Sequence, residues 1–334
     1  MTDEQGDELP LDGNLGAAGS HATEAFALLG DETRLAILLA LWEAYDPHAA
    51  DNVVQFSELF ERVDYDDPGS FSYHLKKLSG QFIRQYADGE GYELRVPALR
   101  FIHAVIAGAG VQDASHQLTE IDQPCPFCEA PTAVTYDEGL FIHVCTQCEG
   151  VTAEEDVPGY LSAVPFDPAG LTNRTTAEVR AASRVAAWRQ TQFMFDGLCP
   201  ACSGAVDRWL DCCTDHDSNG ICDECGTRFA VLARFECRTC KNHNVSSPRA
   251  LVTFHPAVQG LYDRRGVSTR IRAEDPQSVR RVFDLMRDHD VNFLQDDPPR
   301  VEVVVSHGPD EIRLLFDESV NVIDVTRSSS GSVQ

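Results

Sequence analysis

The feature that most constrains this chain is a repeated pair of metal-binding side chains with two residues between them. Ten of the twelve cysteines form five Cys-x2-Cys pairs, and a sixth pair joins Cys213 to His216. Six pairs supply twelve ligands, and zinc binds four ligands tetrahedrally, so the spacing predicts three zinc sites. We expect structural sites, because catalytic zinc keeps an open position. The predicted ligands are Cys125, Cys128, Cys145, Cys148, Cys199, Cys202, Cys213, His216, Cys222, Cys225, Cys237 and Cys240.

The first two pairs of this series are separated by sixteen residues. Residues 133–136 and 140–144 have the composition of strands, and Asp137-Glu138-Gly139 suits the turn between them. This arrangement predicts a zinc ribbon, in which a hairpin brings two knuckles together. Disulfides or free thiols are the less favoured alternatives. His143 lies beside the second knuckle, and we expect it to face outward as a spare ligand.

The other four pairs begin at residues 199, 213, 222 and 237 and leave their pairing open. Sequential pairing leaves ten and eleven residues inside the two sites, which suits hairpins and is favoured here. Crossed pairing resembles RING-like cross-brace domains, and the five-residue gap after His216 fits that pattern. Cys212 could replace Cys213 and His243 could replace His216, but the two-residue spacing favours the first choice. We expect metal binding to supply folding energy, because this segment has few large apolar residues.

The charge of the chain is strongly acidic. The net charge is −26, from 53 acidic and 27 basic residues, and only three of the basic residues are lysine. A surface of this kind resembles that of proteins from salt-loving archaea, whose cytoplasm is rich in KCl. The alternative is an acidic protein with disordered tails, which is less favoured because the acids are spread through segments predicted to fold.

Two further features bear on compartment. No segment reaches the ~18 apolar residues that would span a membrane, and the acidic first twenty residues lack the pattern of a signal peptide. We therefore expect a soluble, cytoplasmic protein without membrane contact. Paired cysteines in a reducing compartment are thiolate ligands more often than disulfides.

The N-terminal region has the pattern of a small helical domain with a hairpin. Leu35, Leu38, Leu39 and Trp42 recur at helical spacing after Asp31, a predicted N-cap. A short second helix spans the region of residues 56–63, and Asp67-Pro68 begins a third. Residues 82–86 and 92–96 flank Asp88-Gly89-Glu90-Gly91, a hairpin signal, and Pro97 begins a last helix. Helix, helix, helix, hairpin, helix is the order of a winged helix-turn-helix.

Two motifs in this region resemble a known family. Residues 29–38 read Leu-Gly-Asp-Glu-Thr-Arg-Leu-Ala-Ile-Leu, and residues 71–78 read Phe-Ser-Tyr-His-Leu-Lys-Lys-Leu. They resemble the opening and the recognition helix of ArsR-like transcriptional regulators. The resemblance implies a homodimer on double-stranded DNA, with the third helix in the major groove and the wing on the backbone. Metal-sensing members carry cysteines on the preceding helix, whereas residues 56–63 contain none, so metal sensing there is not expected.

The predicted DNA contacts combine this resemblance with charge. Two of the three lysines lie side by side on the predicted recognition helix, and two arginines lie on the predicted wing. Cations kept there in so acidic a chain suggest phosphate contact. Acidic residues nevertheless outnumber basic ones over residues 20–110, and winged helices also serve as protein-binding modules. The predicted DNA-binding residues are Ser70, Ser72, Tyr73, His74, Lys76, Lys77, Arg84 and Arg95, with packing or capping the favoured role for His74.

The predicted fold class is an α+β multidomain chain. A winged helix-turn-helix is followed by zinc-ribbon-type β elements and a small C-terminal αβ segment. The predicted regions are an acidic disordered leader at 1–19, the winged helix at 20–110, a zinc ribbon with linkers at 111–174, a helix and double zinc cluster at 175–245, a C-terminal helix and β-hairpin at 246–327, and a flexible tail at 328–334.

The predicted function is that of a DNA-binding transcriptional regulator. The zinc-stapled region would supply dimer contacts, partner binding or signal input. An enzyme is not expected, because no His-Glu-x-x-His, nucleophile-elbow or Walker motif occurs. The alternatives are an adaptor that binds RNA or protein through its zinc ribbons, with the winged helix as a docking module, and a thiol redox sensor.

Overall fold

The protein is described here by a computed structural model that covers residues 16–86, 91–108, 116–152, 157–217 and 219–329. Two compact units divide the chain, Met1–Val111 and Gln112–Gln334. Most of the predicted leader, the tip of the predicted wing at 87–90 and residues 330–334 of the predicted tail lie outside the described residues. Each unit is mixed helix and strand, as the predicted α+β class requires.

The N-terminal unit begins with helices and ends with a hairpin and one more helix. Its α1 starts at Gly16, inside the segment predicted to be a disordered leader. The two short strands pair antiparallel, with Arg84 opposite Glu93. The elements are α1 (Gly16–Leu29), α2 (Glu32–Glu43), α3 (Phe56–Val63), α4 (Pro68–Leu78), β1 (Ile83–Gln85), β2 (Tyr92–Leu94) and α5 (Val96–Ile106).

One apolar core orients α4 within this unit. Phe71, Leu75 and Leu78 of α4 are buried together with side chains of α2, α3, β1, β2 and α5. Asp67 caps α4, because its carboxylate accepts the backbone N–H groups of Gly69 at 3.0 Å and Ser70 at 3.2 Å. Such a cap is worth about 1 kcal/mol. Burial of one face leaves the opposite face of α4 in solvent.

Gly91 is the residue that lets β2 approach a neighbouring segment. Its φ of +127° is a conformation that residues with a side chain rarely adopt, and a Cβ there would lie 2.5 Å from the carbonyl oxygen of Val54. The next residue, Tyr92, exchanges two backbone hydrogen bonds of 2.9 Å with Val54. The hairpin is thereby tied to the chain that precedes α3.

The described residues of the C-terminal unit form three antiparallel sheets, in which the strands are neighbours in chain order. The first contains β3 (His116–Pro124), β4 (Pro131–Asp137), β5 (Leu140–Cys145) and β6 (Tyr160–Pro165). The second contains β7 (Val206–Cys212), β8 (Val231–Cys237) and β9 (His243–Ser246). The third contains β10 (Asp290–Gln295), β11 (Arg300–His307), β12 (Asp310–Phe316) and β13 (Val322–Ser329).

The helices of this unit are α6 (Thr176–Phe195), α7 (Pro248–Leu251), α8 (Pro256–Asp263) and α9 (Pro276–Arg287). Helix α6 begins at a reciprocal capping box. The Thr175 hydroxyl accepts the N–H of Glu178, whose carboxylate accepts the N–H of Thr175 at 2.8 Å. Its buried residues include Ala181, Ala182 and Ser183, small side chains that allow close packing. No helix in the described part of the chain is long and apolar enough to cross a bilayer.

Several strands depart from the sequence prediction. The segment predicted as a linker contributes β3 to the first sheet, and the tail residues Ser328 and Ser329 lie in β13. Strand β10 has no alternating pattern, and most of its side chains are exposed. Edge strands such as β3, β10 and β13 are paired through the backbone on one side only. Their side chains therefore carry little of the burial pattern on which sequence prediction depends.

The largest core joins segments that the sequence suggested were separate. Phe235 of β8 is buried in the same cluster as Tyr262 of α8, Leu314 of β12 and Phe316 of β12. The second cysteine cluster was expected to lack a core of its own. Its strands instead share the core of the C-terminal sheet, because the alternating residues of β7 and β8 bury one face against it.

Candidate functional site

The first metal-binding group contains the four cysteines of the first two pairs. Cys125 Sγ lies 3.7 Å from Cys148 Sγ, and Cys128 Sγ lies 3.5 Å from Cys145 Sγ. All four sulfur atoms lie within 4.8 Å of one another. Tetrahedral zinc with bonds of ~2.3 Å would separate its sulfur ligands by about 3.8 Å. The group therefore could hold a metal ion of this size.

Local backbone geometry builds this group. Strands β4 and β5 pair so that Thr132 lies opposite Cys145, which brings the two knuckles to the same end of the hairpin. In the first knuckle the Cys125 N–H donates to the Ala130 carbonyl at 2.8 Å. Glu129 takes a left-handed conformation with a φ of 60° to close the turn. Backbone N–H groups of Gln147 and Cys148 point at Cys145 Sγ, each at 3.3 Å.

His143 does not face outward as the alternation of the strand suggested. Its side chain is buried, with 4% exposure, and its Nε2 has no hydrogen-bond partner in the described part of the structure. Burial, reinforced by the charges of Arg180 and Arg184, lowers the pKa of His143 to about 2. His143 is not a member of the first group. The prediction was wrong because α6 covers this face of the sheet, which strand alternation alone does not reveal.

The second cysteine cluster is nested, so both pairings considered from the spacing are wrong. The first and last pairs come together: Cys199 Sγ lies 3.6 Å from Cys240 Sγ, and Cys202 Sγ lies 3.5 Å from Cys237 Sγ. The two middle pairs form a separate group inside the loop that connects β7 and β8. We call them the outer group (Cys199, Cys202, Cys237, Cys240) and the inner group (Cys213, His216, Cys222, Cys225).

Pairing of β7 with β8 explains the nesting. The register places Val206 opposite Cys237 and Cys212 opposite Val231. The open end of this hairpin therefore carries the first and last pairs, and its closed end carries the two middle pairs. From the spacing, the gap inside each site was expected to form its own hairpin. Strands β7 and β8, of seven residues each, instead flank both middle pairs and form a single longer hairpin.

The inner group uses the residues that the two-residue spacing favoured. Cys225 Sγ lies 3.5 Å from His216 Nδ1, and the four ligand atoms lie within 4.8 Å of one another. Cys212 is instead part of β7 and packs against the large core, and burial raises the pKa of its thiol to about 11. His243 is exposed on β9 and belongs to no group in the described part of the chain.

The inner group is joined to the first group by their neighbouring loops. Arg228 donates its backbone N–H to Val151 at 3.0 Å, and its guanidinium lies 4.9 Å from the centre of the Phe127 ring. Thr152 and Thr227 form an isolated antiparallel bridge. The three groups are therefore parts of one unit, with only the outer group contributing to the large core through Cys199 and Cys237.

Each group contains at least one cysteine whose thiol pKa is lowered, and the outer group contains two, Cys199 and Cys237. Burial opposes ionisation of Cys145 and Cys199, but N–H donors outweigh it and lower the pKa of Cys145 to about 7 and of Cys199 to about 6. Backbone N–H groups of Asp217 and Cys225 lower the pKa of Cys222 to about 7. Burial, by contrast, raises the pKa of Cys125 to about 12. A metal cation is what allows several adjacent thiols to ionise together.

A second candidate surface is the exposed face of α4. Ser72, Tyr73, Lys76 and Lys77 are exposed, and Tyr73 keeps 54% of its surface accessible. The Lys77 ammonium lies 5.5 Å from the centre of the Tyr73 ring. No acidic residue occurs within α4, although the chain as a whole is strongly acidic. The face is therefore a locally cationic surface with one aromatic ring.

Two predicted contact residues on α4 are engaged within the unit. The Ser70 hydroxyl lies 3.1 Å from the Tyr65 hydroxyl. His74 is partly buried, with its Nδ1 3.4 Å from an Asp31 carboxylate oxygen and its ring packed edge-on against Tyr65 and Tyr73. His74 therefore contacts the N-cap of α2, which agrees with the packing or capping role favoured from the sequence.

The two predicted wing residues are accessible. Arg84 on β1 has 61% of its side chain exposed, with Nη1 3.7 Å from a Glu93 carboxylate oxygen. Its guanidinium lies 5.9 Å from the Tyr86 ring centre. Arg95 is exposed between β2 and α5, and its backbone N–H donates to the Phe82 carbonyl at 2.8 Å. Arg84 lies in the hairpin and Arg95 directly follows it. The turn of the hairpin, at residues 87–90, lies outside the described residues.

Sequence inspection missed a pair of arginines on α6. Arg180 is buried, with 6% exposure, and Arg184 one turn later is partly buried. The sequence predicted a helix in this region but gave these arginines no role. The available signal was the spacing of two arginines by four residues among small side chains, but that pattern also occurs on exposed helices.

Comparisons with known proteins give families without an assigned role. Residues 22–105 match the family described as "Domain of unknown function (DUF7347)", and residues 122–322 match the family described as "Domain of unknown function (DUF7351)". No curated protein matches the chain.

Among solved structures, the chain is similar to the Rio2 kinase-ADP/Mg2+-phosphoaspartate complex from Chaetomium thermophilum, with 16% identity and a TM-score of 0.22. The match covers 50% of this chain and 47% of the kinase chain, and a score this low supports no conclusion about fold or activity.

The family match over residues 122–322 extends through more than half of the sequence, so this chain belongs to the family described as "Domain of unknown function (DUF7351)".

Proposed function

We propose that this protein is a sequence-specific, DNA-binding transcriptional regulator whose N-terminal unit is a winged helix-turn-helix. Helix α4 would be its recognition helix and the β1–β2 hairpin its wing. The observation that carries the proposal is the exposed, acid-free face of α4, which presents Lys76 and Lys77 while Phe71 and Leu75 anchor the other face.

Electrostatics support this role. Two of the three lysines of a chain with a net charge of −26 lie on this one face. A cationic surface in an acidic protein attracts a polyanion at one place and repels it elsewhere, which favours a defined orientation on DNA. An α-helix with its side chains is about 10–12 Å across, and the major groove is about 12 Å wide, so α4 can enter it.

The side chains of this surface fall into two groups, those that could contact base edges and those that would contact the DNA backbone. Tyr73 and Ser72 can contact base edges or phosphates. The Ser72 hydroxyl donates to the Pro68 carbonyl at 2.8 Å, so it can still accept from a base but must give up this bond to donate to a phosphate. Arg84 and Arg95 would contact the backbone from the wing. With so few cations per copy, the affinity would depend on salt less steeply than in highly basic regulators. Base and shape readout would then carry more of the specificity.

The three metal groups would hold structural zinc. Each supplies four protein ligands, the full complement of a structural tetrahedral site. Zinc would cross-link the loops of the C-terminal unit, and that unit would serve dimer contacts, partner binding or signal input. The regulator would act as a homodimer, as its resemblance to ArsR-like proteins implies.

The test is genome-wide crosslinking of tagged wild-type protein in its native host beside a Lys76→Glu/Lys77→Glu variant. The matched control is Arg270→Glu/Arg272→Glu, which changes the net charge equally at exposed residues of the other unit. We expect discrete promoter peaks that disappear in the α4 variant and persist in the control. Circular dichroism of both variants checks that they fold.

Two outcomes would contradict the proposal. Peaks that persist in the α4 variant would show that another surface binds DNA. Absence of peaks for every protein would favour the adaptor alternative, in which the zinc elements bind RNA or protein and the winged helix is a docking module. Binding lost on mild oxidation together with zinc release would favour the redox-sensor alternative.

A further inference from the structure

The C-terminal unit contains a cavity of about 560 Å³ whose lining is rich in arginine. It lies where the end of β3 meets the first turns of α6 and α9. Arg180 of α6 and both Arg280 and Arg281 of α9 line it. Protein sites for small ligands usually have volumes of ~300–1,000 Å³, so the cavity is large enough for a metabolite.

Arg180 is the unusual residue in this cavity. It is 94% buried, and its Nε has no hydrogen-bond partner in the described part of the chain. No carboxylate among those residues lies within ion-pair distance of its guanidinium. A buried guanidinium without a counter-charge is costly, whereas a hydrogen-bonded and paired one is tolerated.

Arg184 adds a second positive charge close to Arg180. Arg184 lies one turn further along α6, where it donates to the Ser162 hydroxyl and packs its guanidinium 5.4 Å from the Phe283 ring centre. Its Nε also lacks a partner among the residues described, as does His143 Nε2 nearby. Burial first, and then the charge of Arg184, lower the pKa of Arg180 to about 9. Arginine stays protonated at neutral pH all the same, so Arg180 carries a charge that no carboxylate of the described residues pairs.

The other arginines of the lining are already paired. Arg281 lies 3.3 Å from an Asp275 oxygen and Arg280 lies 3.8 Å from an Asp284 oxygen, and all four side chains are about half exposed. Exposed pairs of this kind are weak and can rearrange around a ligand. These arginines can therefore assist, but within the described part of the chain Arg180 is the lining arginine without an ion-pair partner.

We infer that this cavity binds a small metabolite through an oxyanion, a phosphate or carboxylate group held by Arg180. The planar fork of arginine matches both groups in bidentate geometry. The first turn of α9, which also lines the cavity through Pro276 and Gln277, adds the partial positive charge of a helix N-terminus.

The remaining lining residues suit the rest of such a molecule. The amides of Gln123 and Gln277 can donate and accept hydrogen bonds. The carboxylates of Asp122 and Asp284, which also line the cavity, would accept from hydroxyl or amino groups and would repel a second anionic group nearby. We therefore expect a ligand with one compact anionic group, attached to a polar body that carries hydroxyl or amino groups. The site does not depend on whether the N-terminal unit binds DNA.

The experiment is a titration of the full, zinc-loaded chain with inorganic phosphate and, separately, with lactate, a hydroxylated monocarboxylate. Isothermal calorimetry and the melting temperature are followed at constant potassium concentration. We expect saturable binding of at least one probe, in contrast to the gradual stabilisation that excluded salts produce without a site. Arg180→Gln should weaken it at least tenfold, consistent with loss of a charged hydrogen-bonding partner. Arg189→Gln, at an exposed arginine on the same helix, should leave it unchanged.

Two additional variants keep the test decisive. Arg280→Gln/Arg281→Gln changes exposed residues, so it should fold even if Arg180→Gln does not, and it should weaken binding about threefold. Glu154→Gln/Glu155→Gln/Asp156→Asn neutralises an acidic stretch that lies outside the described residues. Binding seen only in this variant would mean that the chain's own acids occupy the site, which would overturn the proposal. Absence of saturable binding in every variant, or equal binding by Arg180→Gln, would overturn it as well.

Discussion

The two units of this protein reach a defined structure by different means. The N-terminal unit has one apolar core to which α2, α3, α4, α5 and both strands contribute, and the described residues include no metal-binding group there. The C-terminal unit combines a large core with three four-ligand groups. Helices bury one face and satisfy their own backbone, whereas long loops between short strands do neither. We therefore expect metal cross-links to stabilise the C-terminal unit and not the N-terminal unit.

The outer and inner groups make the same contrast inside the C-terminal unit. In the outer group, Cys199 and Cys237 are buried in the large core. The inner group lies at the closed end of the β7–β8 hairpin, where its loop contacts the first group instead of the core. A metal ion in the outer group would therefore be coupled to the whole unit, and one in the inner group mainly to the adjacent loops.

The largest expected effect comes from removing metal. A strong chelator should unfold much of the C-terminal unit and leave the N-terminal unit folded, because structural zinc sites contribute ~10–16 kcal/mol in zinc-finger peptides. Hydrogen exchange with peptide-level resolution would measure each unit separately, and added zinc should restore protection. Equal loss of protection in α2 and α4 would mean that the N-terminal unit also depends on metal.

A smaller effect should separate the outer group from the inner group. Cys237→Ser should lower the free energy of unfolding of the C-terminal unit by about 3–5 kcal/mol, and Cys225→Ser by about 1–2 kcal/mol, because only Cys237 is buried in the core. Cys212→Ser is the matched control, since it removes a cysteine that is not a ligand. Zinc analysis should find three ions in the wild type and the control, and two in each ligand variant.

The N-terminal core should respond to truncation without any change in zinc content. Leu75→Ala removes a side chain with 1% exposure and should cost about 2–5 kcal/mol in the N-terminal unit. Lys76→Ala on the exposed face of the same helix should change stability by less than about 0.5 kcal/mol. Urea unfolding monitored by exchange in each unit would check both values. A transition in the C-terminal unit that shifts with Leu75→Ala would contradict independent stabilisation.

The smallest expected effect concerns helix caps, one in each unit. Asp67→Ala and Thr175→Ala should each cost about 1 kcal/mol, since each leaves N–H groups of the first helical turn without a partner. Exchange should accelerate at Gly69 and Ser70 in the first variant and near Glu178 in the second. Asp67→Asn, which preserves the acceptor, is the control for the first, and a cost equal to that of Asp67→Ala would exclude capping as the cause.

Sequence reasoning succeeded where the information was local. The cap at Asp31, the start of α4 at Asp67-Pro68 and the turn at residues 137–139 each depend on neighbours a few positions away. The four residues of each metal group were all among the predicted ligands. It failed for the pairing of the second cluster, for the strands at sheet edges and for the burial of His143. Those depend on partners far away in the chain.

What the sequence by itself determined is the set of candidate metal ligands, their grouping in pairs, the helical order of the N-terminal region and its lysine-bearing face. These follow from residue spacing, which the periods of helices and knuckles translate directly into position. Only the tertiary structure decided that the second cluster is nested, because the register of β7 with β8 sets which pairs meet. It also decided that Arg180 is buried beside a cavity, because burial depends on what α9 and β3 bring against α6. Spacing fixes which side chains share a face, and packing of distant segments decides what that face meets.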